Sequence, residues 1–285
     1  MVSASNVWFL SATTRKETPK IMKFFKTRNH NFDLNKRTYV MGILNVTPDS
    51  FSDGGKYLSP EKAIERALKI QKEGADILDV GAQSTRPGFT KISPKEEWRR
   101  LEPVLEGISE KIHIPISIDT FYAEVAEKAI KYGVTIINDV SGCSDDKMFL
   151  LARIYSCGMI IVHNSANIQY IRNFFESKLQ RALEIGVDRN QICFDPGIGF
   201  NKSRSQDIRV IKDLENIKIE DNAILLGVSR KRTVAYLSDQ ERMDKRLSGT
   251  VALNTFAQIH GADILRVHDV EEAVSAVKTV DRLIH

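Results

Sequence analysis

A closed (β/α)8 barrel, the TIM barrel, is the fold that this 285-residue sequence predicts. Three observations predict it. Eight short, nearly continuous apolar runs recur along the chain, as strands buried on both faces require. Stretches of helical period fill the intervals between them. Several runs follow a glycine suited to a helix C-terminal cap and end at once on a polar residue. A doubly wound open sheet has the same alternation but usually fewer strands, and no GxGxxG follows the first run.

The elements can be justified in order. Phe24–Thr27 and Asn31–Leu34 read as a hairpin capping the domain. Val40–Leu44 is the first barrel strand, and it gives way to a polar, turn-rich loop from Thr47 to Tyr57. The segments Gly74–Asp79, Gly133–Asp139, Gly158–His163, Ile192–Asp195 (after Gly186) and Gly261–His268 repeat the design of glycine, strand and polar end. Ile116–Ile118 and Ala223–Leu226 complete the eight strands. Ser59-Pro60 opens the first helix as cap and first-turn proline. Ser93 with Glu96, and Asp269 with Glu272, read as capping boxes before apolar helical faces. The remaining helices are expected over Ala123–Tyr132, Asp146–Ser156, Phe174–Ile185, Asp207–Leu214 and Leu247–His260.

Composition narrows the classes of function. Residues 1–38 hold eight bases against two acids, and the rest holds 33 bases against 35 acids. The basic surplus is thus local to the start of the chain, whereas a nucleic-acid binder would carry it on the folded domain. No apolar run approaches the roughly 18 residues that span a bilayer. Three widely spaced cysteines, Cys143, Cys157 and Cys193, suit neither a zinc cluster nor a disulfide framework, and point to a cytoplasmic protein. Residues 1–22 read as a disordered extension, with Met22 as an alternative start, ahead of one barrel domain over 23–285.

In such a barrel the site lies at the C-terminal strand ends. The residues there are Asn45, Asp79, Asp119, Asn138 with Asp139, His163, Asp195, Ser229-Arg230-Lys231, and Arg266 with His268. One such residue is more often a helix cap or a satisfied core group. A whole ring of them points to a site. Asp119, Asn138 and Asp195 supply acceptors and an amide for the edge of a polar heterocycle. Lys231, Arg266, His268 and Arg86 supply donors and positive charge for a phosphate or carboxylate. Asn45 beside Asp49 suits Mg2+ held through oxygen. The residues alone describe a flat, hydrogen-bonding ring attached to an anion.

These same stretches resemble the dihydropteroate synthase family, from about Phe24 to the C-terminus. Met41–Gly55 is similar to that family's first signature, and Asp79–Gly88, DVGAQSTRPG, to its second. Ser117–Thr120, Ile137–Asp139, Phe194–Phe200, Gly227–Lys231 and Arg266–His268 support the match. The resemblance implies a transferase of folate synthesis that joins 6-hydroxymethyl-7,8-dihydropterin diphosphate to 4-aminobenzoate. It implies small-molecule substrates, a homodimer, and a sulfonamide target. Carried over, Asp119, Asn138, Asp195 and Lys231 would hold the pterin, and Asn45 would bind Mg2+. Arg266 and His268 would take the diphosphate, with Thr85 and Arg86 between diphosphate and aminobenzoate. Phe200, Ser229 and Lys231 would line the aminobenzoate slot. Asp119, Asp195, Lys231, Arg266 and His268 are then the catalytic set.

The chain departs from the family pattern at three places: Gln83 where an acid is common, Val162–Ser165 after the fifth barrel strand, and Asn201 where glycine is usual. Two rival readings are a pterin-binding methyltransferase of related barrel fold and a non-catalytic pterin-binding subunit. The first does not require Ser229-Arg230-Lys231 or the full TPDSFSDGG loop, and the second would have lost a chemical residue.

Overall fold

The computed structural model describes residues 22–47, 59–83, 90–219 and 221–284. The extension expected over residues 1–22, Met22 apart, lies outside them. So do the greater part of the Thr47–Tyr57 loop and both Thr85 and Arg86.

The short strands β1 (Phe24–Lys26) and β2 (Asn31–Asp33) pair antiparallel as the expected hairpin. Eight parallel strands follow: β3 (Tyr39–Asn45), β4 (Ile77–Gly81), β5 (Ile116–Asp119), β6 (Val134–Asp139), β7 (Gly158–Val162), β8 (Ile192–Asp195), β9 (Ala223–Leu226) and β10 (Ile264–Val267). Each pairs with the next, and β10 pairs with both β9 and β3, which closes the barrel. Between them run α1 (Pro60–Lys72), α2 (Pro94–Ile108), α3 (Ala123–Lys131), α4 (Lys147–Tyr155), α5 (Ile171–Ile185), α6 (Arg204–Lys212), α7 (Leu214–Ile217), α8 (Arg232–Leu237) and α9 (Leu247–Ile259). α10 (Val270–Ile284) ends the described chain.

The two-residue period of a strand sorts the side chains into two cores. Val40, Leu78, Ile137, Phe194 and Leu265 point outward and join the layer packed beneath the helices. Met41, Ile77, Ile136, Ile160, Cys193, Leu225 and Ile264 point inward and form a separate cluster with Phe25 and Phe32 of the hairpin. The hairpin is therefore the floor of the barrel. Phe25 is fully buried and stacks on Phe32, which meets Tyr39 edge to face. One step of two beyond Ile77, Ile136, Cys193 and Ile264 come Asp79, Asn138, Asp195 and Arg266. The same period that fills the floor with apolar groups fills the mouth with polar ones.

Local details differ from the sequence reading in five places. Gly74, Gly133, Gly186 and Gly261 have the positive φ of a helix stop, but Gly158 does not. The left-handed residue there is Ser156, which caps α4. Gly158 serves packing instead: a Cβ on it would lie 2.7 Å from the Phe25 ring. Ser93 accepts the Glu96 N–H, but the Glu96 carboxylate turns to Arg99 and Arg100, so only half of that capping box forms. The Asp269 carboxylate goes to Arg230 rather than to its own helix. Ser59 makes no side-chain capping bond. The short α7 and α8 have no counterpart among the eight expected helices.

The hairpin floor gives a direct expectation. Phe25→Ala should lower the unfolding free energy by about 3–5 kcal/mol, the range for emptying a packed aromatic site. Chemical denaturation measures it, and a loss under about 1 kcal/mol would show that the floor carries little of the core.

Candidate active site

The mouth is organised by Arg266, two residues above the floor on β10. Its Nε donates to Asp79 Oδ2 at 2.6 Å and its Nη2 to Asp119 Oδ2 at 2.7 Å. Asp79 is wholly buried and also accepts the Asn138 amide at 3.3 Å. Because Nδ2 must face that carboxylate, Asn138 Oδ1 is left pointing away, buried and with no protein partner. Expected acceptors and expected cations are thus interleaved, not set on opposite sides. Burial and the fields of Asp79 and Asp139 push Asp119 up to about 7 against the pull of Arg266. Burial also raises Asp195, although Lys231 opposes it. The Arg266 charge is disfavoured by burial but held firmly by Asp79 and Asp119.

Three consecutive residues after β9 take three partners. The Ser229 hydroxyl accepts the His268 N–H at 3.1 Å and lies 3.1 Å from His268 Nδ1. Burial and the Arg266 and Arg230 charges bring His268 down to about 3, so its ring is neutral at pH 7. A hydroxyl that donates to Nδ1 leaves the proton on Nε2. Arg230, in a left-handed conformation, pairs with Asp269. Lys231 enters the mouth, donates to the Ile198 carbonyl at 2.6 Å, and stands 5.1 Å from the centre of the Phe200 ring. Burial lowers it to about 8, against the pull of Asp195. His268 is neutral here, which corrects its sequence-based grouping with the fixed cations.

The remaining expected residues are placed as follows. Asn45 ends β3, and with His268, Arg66, Lys69 and Arg230 it lines a cleft of about 450 Å³ beside the β10–β3 seam. Asp195 accepts the Gly197 N–H at 2.7 Å, fixing the start of the loop that carries Phe200. Asp139 points away and caps Ser141. Gln83 accepts the Ile92 N–H at 2.8 Å and so ties together the two ends of the second loop. No group of three His, Cys, Asp or Glu able to hold a metal exists among the described residues.

The sequence reading missed Glu97 and Lys202. Glu97 lies on α2, 0 % exposed, with its carboxyl group beside the Thr120 side chain and Asp119 and no cation paired to it among the described residues. Burial pushes it up to about 7. An acid in the inward stripe of an amphipathic helix was the available signal: Glu97 falls four residues before Leu101. Lys202 follows directly on the Phe194–Asn201 stretch and is almost fully buried.

This barrel, with buried carboxylates, an amide and cations interleaved at its mouth, defines an enzyme suited to a polar heterocycle bearing an anion. The pterin binding enzyme family model matches residues 41–268. The dihydropteroate synthase of Clostridium beijerinckii is 40% identical over 267 residues, covering 91% of this chain and 99% of that protein. A Clostridium difficile dihydropteroate synthase, solved in the presence of pteroic acid, superposes with a TM-score of 0.82 at 42% identity, covering 87% of this chain and 97% of that one. The Xanthomonas albilineans dihydropteroate synthase with 4-aminobenzoic acid gives 0.86 at 33% identity, covering 92% and 98%. The chain belongs to the pterin-binding enzymes and, within them, to the dihydropteroate synthase family.

Glu97 yields a pH prediction. Its folded-state value lies above the ordinary 4.5, so the folded protein keeps a proton that the unfolded chain releases. That contribution is complete below about 4.5 and is lost as pH rises through about 7. Glu97→Gln should therefore gain melting temperature over the unsubstituted protein as pH rises from about 5 to 8, by on the order of 5 °C. A difference independent of pH in thermal melts would contradict a buried, protonated Glu97.

Proposed function

We propose that this chain condenses 6-hydroxymethyl-7,8-dihydropterin diphosphate with 4-aminobenzoate, giving 7,8-dihydropteroate and diphosphate. The observation that carries the residue assignment is the unpartnered Asn138 Oδ1, buried on the strand beside Asp119. A buried acceptor without a donor costs about 1–3 kcal/mol, and a ring N–H would relieve it. Asp119 and Asp195 would accept further ring and exocyclic N–H groups, and Lys231 would donate to the ring's acceptor edge. Family membership supplies the ring: a pterin.

The chemistry follows from charge. Loss of diphosphate leaves positive charge on the pterin methylene, which the electron-rich ring spreads toward Asp119 and Asp195. The aniline nitrogen of 4-aminobenzoate then adds, and no covalent enzyme intermediate is needed. His268 would donate Nε2–H to the departing diphosphate. Arg266, already held by two carboxylates, would act on it as a fixed charge at the base of the mouth. The incoming phosphates would themselves raise His268 by offsetting the Arg266 and Arg230 fields. Phe200, with Ser229 and Lys231 at its edge, would wall the aminobenzoate slot; Thr85 and Arg86 would reach the same region from the second loop. Mg2+ would neutralise charge on the diphosphate. The carboxamide oxygen of Asn45 is a suitable hard donor, and Mg2+ commonly takes its remaining ligands from water and substrate phosphates.

The outer faces of α9 and α8 expose Phe256, Ile259, Tyr236 and Leu237, an apolar surface suited to a homodimer. All three cysteines are free and buried, in keeping with a cytoplasmic protein, and no helix among the described residues is long and apolar enough to cross a membrane.

Incubating the protein with dihydropterin diphosphate, 4-aminobenzoate and Mg2+ should release diphosphate only when aminobenzoate is present. Lys231→Ala should reduce kcat/KM by about 100-fold or more, as loss of a buried, aimed donor does. Release at the same rate without aminobenzoate, or an unimpaired Lys231→Ala enzyme, would contradict the reading.

A further inference from the structure

The loop after β8 is clamped by its polar groups one at a time. Gly197 N–H is held by Asp195 at 2.7 Å and Gly199 N–H by Asp207 at 2.8 Å. Asp207 is buried and receives the Thr233 hydroxyl at 2.9 Å. Lys231 holds the Ile198 carbonyl, and Phe200 N–H closes on Gly197 O at 3.1 Å. This loop presents Phe200, half-buried, to the mouth.

The neighbouring segment after β7 is fastened to the same loop. Residues 164–167 are exposed, so no apolar packing holds them down. Three side chains from the far side reach across. Lys202, only 5 % exposed, donates to His163 O at 2.9 Å, to Gly197 O at 3.0 Å and to Phe200 O at 3.4 Å. Asn201 Nδ2 donates to Asn164 Oδ1 at 2.8 Å. Gln206 Nε2 donates to Ala166 O at 2.7 Å while its own oxygen caps Ser203. The two backbones touch: a Cβ on Gly197 would lie 2.2 Å from His163 O. Asn201 has φ 51, a left-handed conformation that asparagine tolerates better than most residues. Asn164 and Asn201 both fall at positions where the chain departs from the pattern it resembles, and the two departures are hydrogen-bonded to each other.

We infer that Asn201, Lys202 and Gln206 form a strap that fastens the segment after His163 to the Phe200 loop and thereby positions Phe200 against the aminobenzoate ring. This rests on the proposed place of Phe200 in the aminobenzoate slot. The three are positioning residues; Phe200 alone meets substrate. The Asn164–Asn201 bond touches neither the strands of Asp119, Asn138 and Arg266 nor the side chains of Asp195 and Lys231, which hold the same loop further back at Gly197 and Ile198, so loosening it bears first on Phe200.

Steady-state kinetics on the full chain tests it, with Asn201→Gly, Asn164→Ala, the double variant, and Phe200→Ala. Glycine keeps the left-handed backbone at position 201 and removes only the bond. Each single asparagine variant should raise KM for aminobenzoate about fivefold, the worth of one hydrogen bond. KM for the dihydropterin diphosphate and kcat should stay within about twofold, and the double variant should add nothing to either single one. Additive effects, equal shifts in both KM values, or no shift would overturn the strap. If Phe200→Ala leaves KM for aminobenzoate unchanged, the placement of the slot has failed. If Phe200→Ala raises it and the asparagine variants do not, the strap alone has failed.

Discussion

A guanidinium held between two buried carboxylates governs the mouth of this barrel. Asp79 is out of contact with water and Asp119 nearly so. Carboxylates so placed lose hydration worth several kcal/mol each and persist charged only with a partner of good geometry. Arg266 supplies that partner to both at once. By engaging Asp79 it also orients Asn138, since the amide must turn its nitrogen to the same carboxylate. The unpartnered acceptor is therefore set indirectly by a residue on a strand far away in sequence. Asp195 and Lys231 form a second, looser pair across the mouth, each moved by burial toward its neutral form and each drawn back by the other. Burial brings Asp119 and Lys231 toward neutrality, and a bound heterocycle with N–H groups and an anion would satisfy them.

The barrel delivers this arrangement through strand register. Inward positions alternate, so an apolar floor and a polar mouth are two successive layers of the same strands. The floor is closed by the hairpin through Phe25, and the small Gly158 leaves room for that ring. The helices contribute from behind: Asp207 on α6 and Thr233 on α8 steady the Phe200 loop, and Glu97 on α2 backs Asp119. Asp119, Asn138, Asp195 and Arg266 thus stand on strands, whereas Phe200 and Lys231 stand on loops steadied by helices and loop ends. This division fits a reaction that needs fixed charge more than a mobile nucleophile.

The strands were legible because most are apolar runs with a polar end, and because a parallel sheet buried on both faces leaves few alternatives. Asp119, Asn138, Asp195, Lys231, Arg266 and His268 were legible as strand-end residues before any resemblance was considered. What was not legible was pairing. Arg266 reads as a free cation in the sequence, since its partners lie 187 and 147 positions away. His268 reads as a further cation, yet burial, aided by the Arg266 and Arg230 charges, keeps it neutral. The stop of α4 fell to Ser156 because Gly158 was required for packing by a residue over a hundred positions earlier. Asn164 and Asn201 read as two unrelated departures until their side chains were seen to meet. Local patterning encodes elements and their polar ends; contacts between loops are fixed only when the barrel closes.

Arg266 sets the charge state of the mouth by holding Asp119 down against burial. Carboxyl-carbon NMR titration of Asp119 in the unsubstituted protein and in Arg266→Gln measures this directly. The account predicts a midpoint of about 7 in the former and a higher one in the latter. A midpoint in the ordinary carboxylate range that the substitution does not move would contradict it.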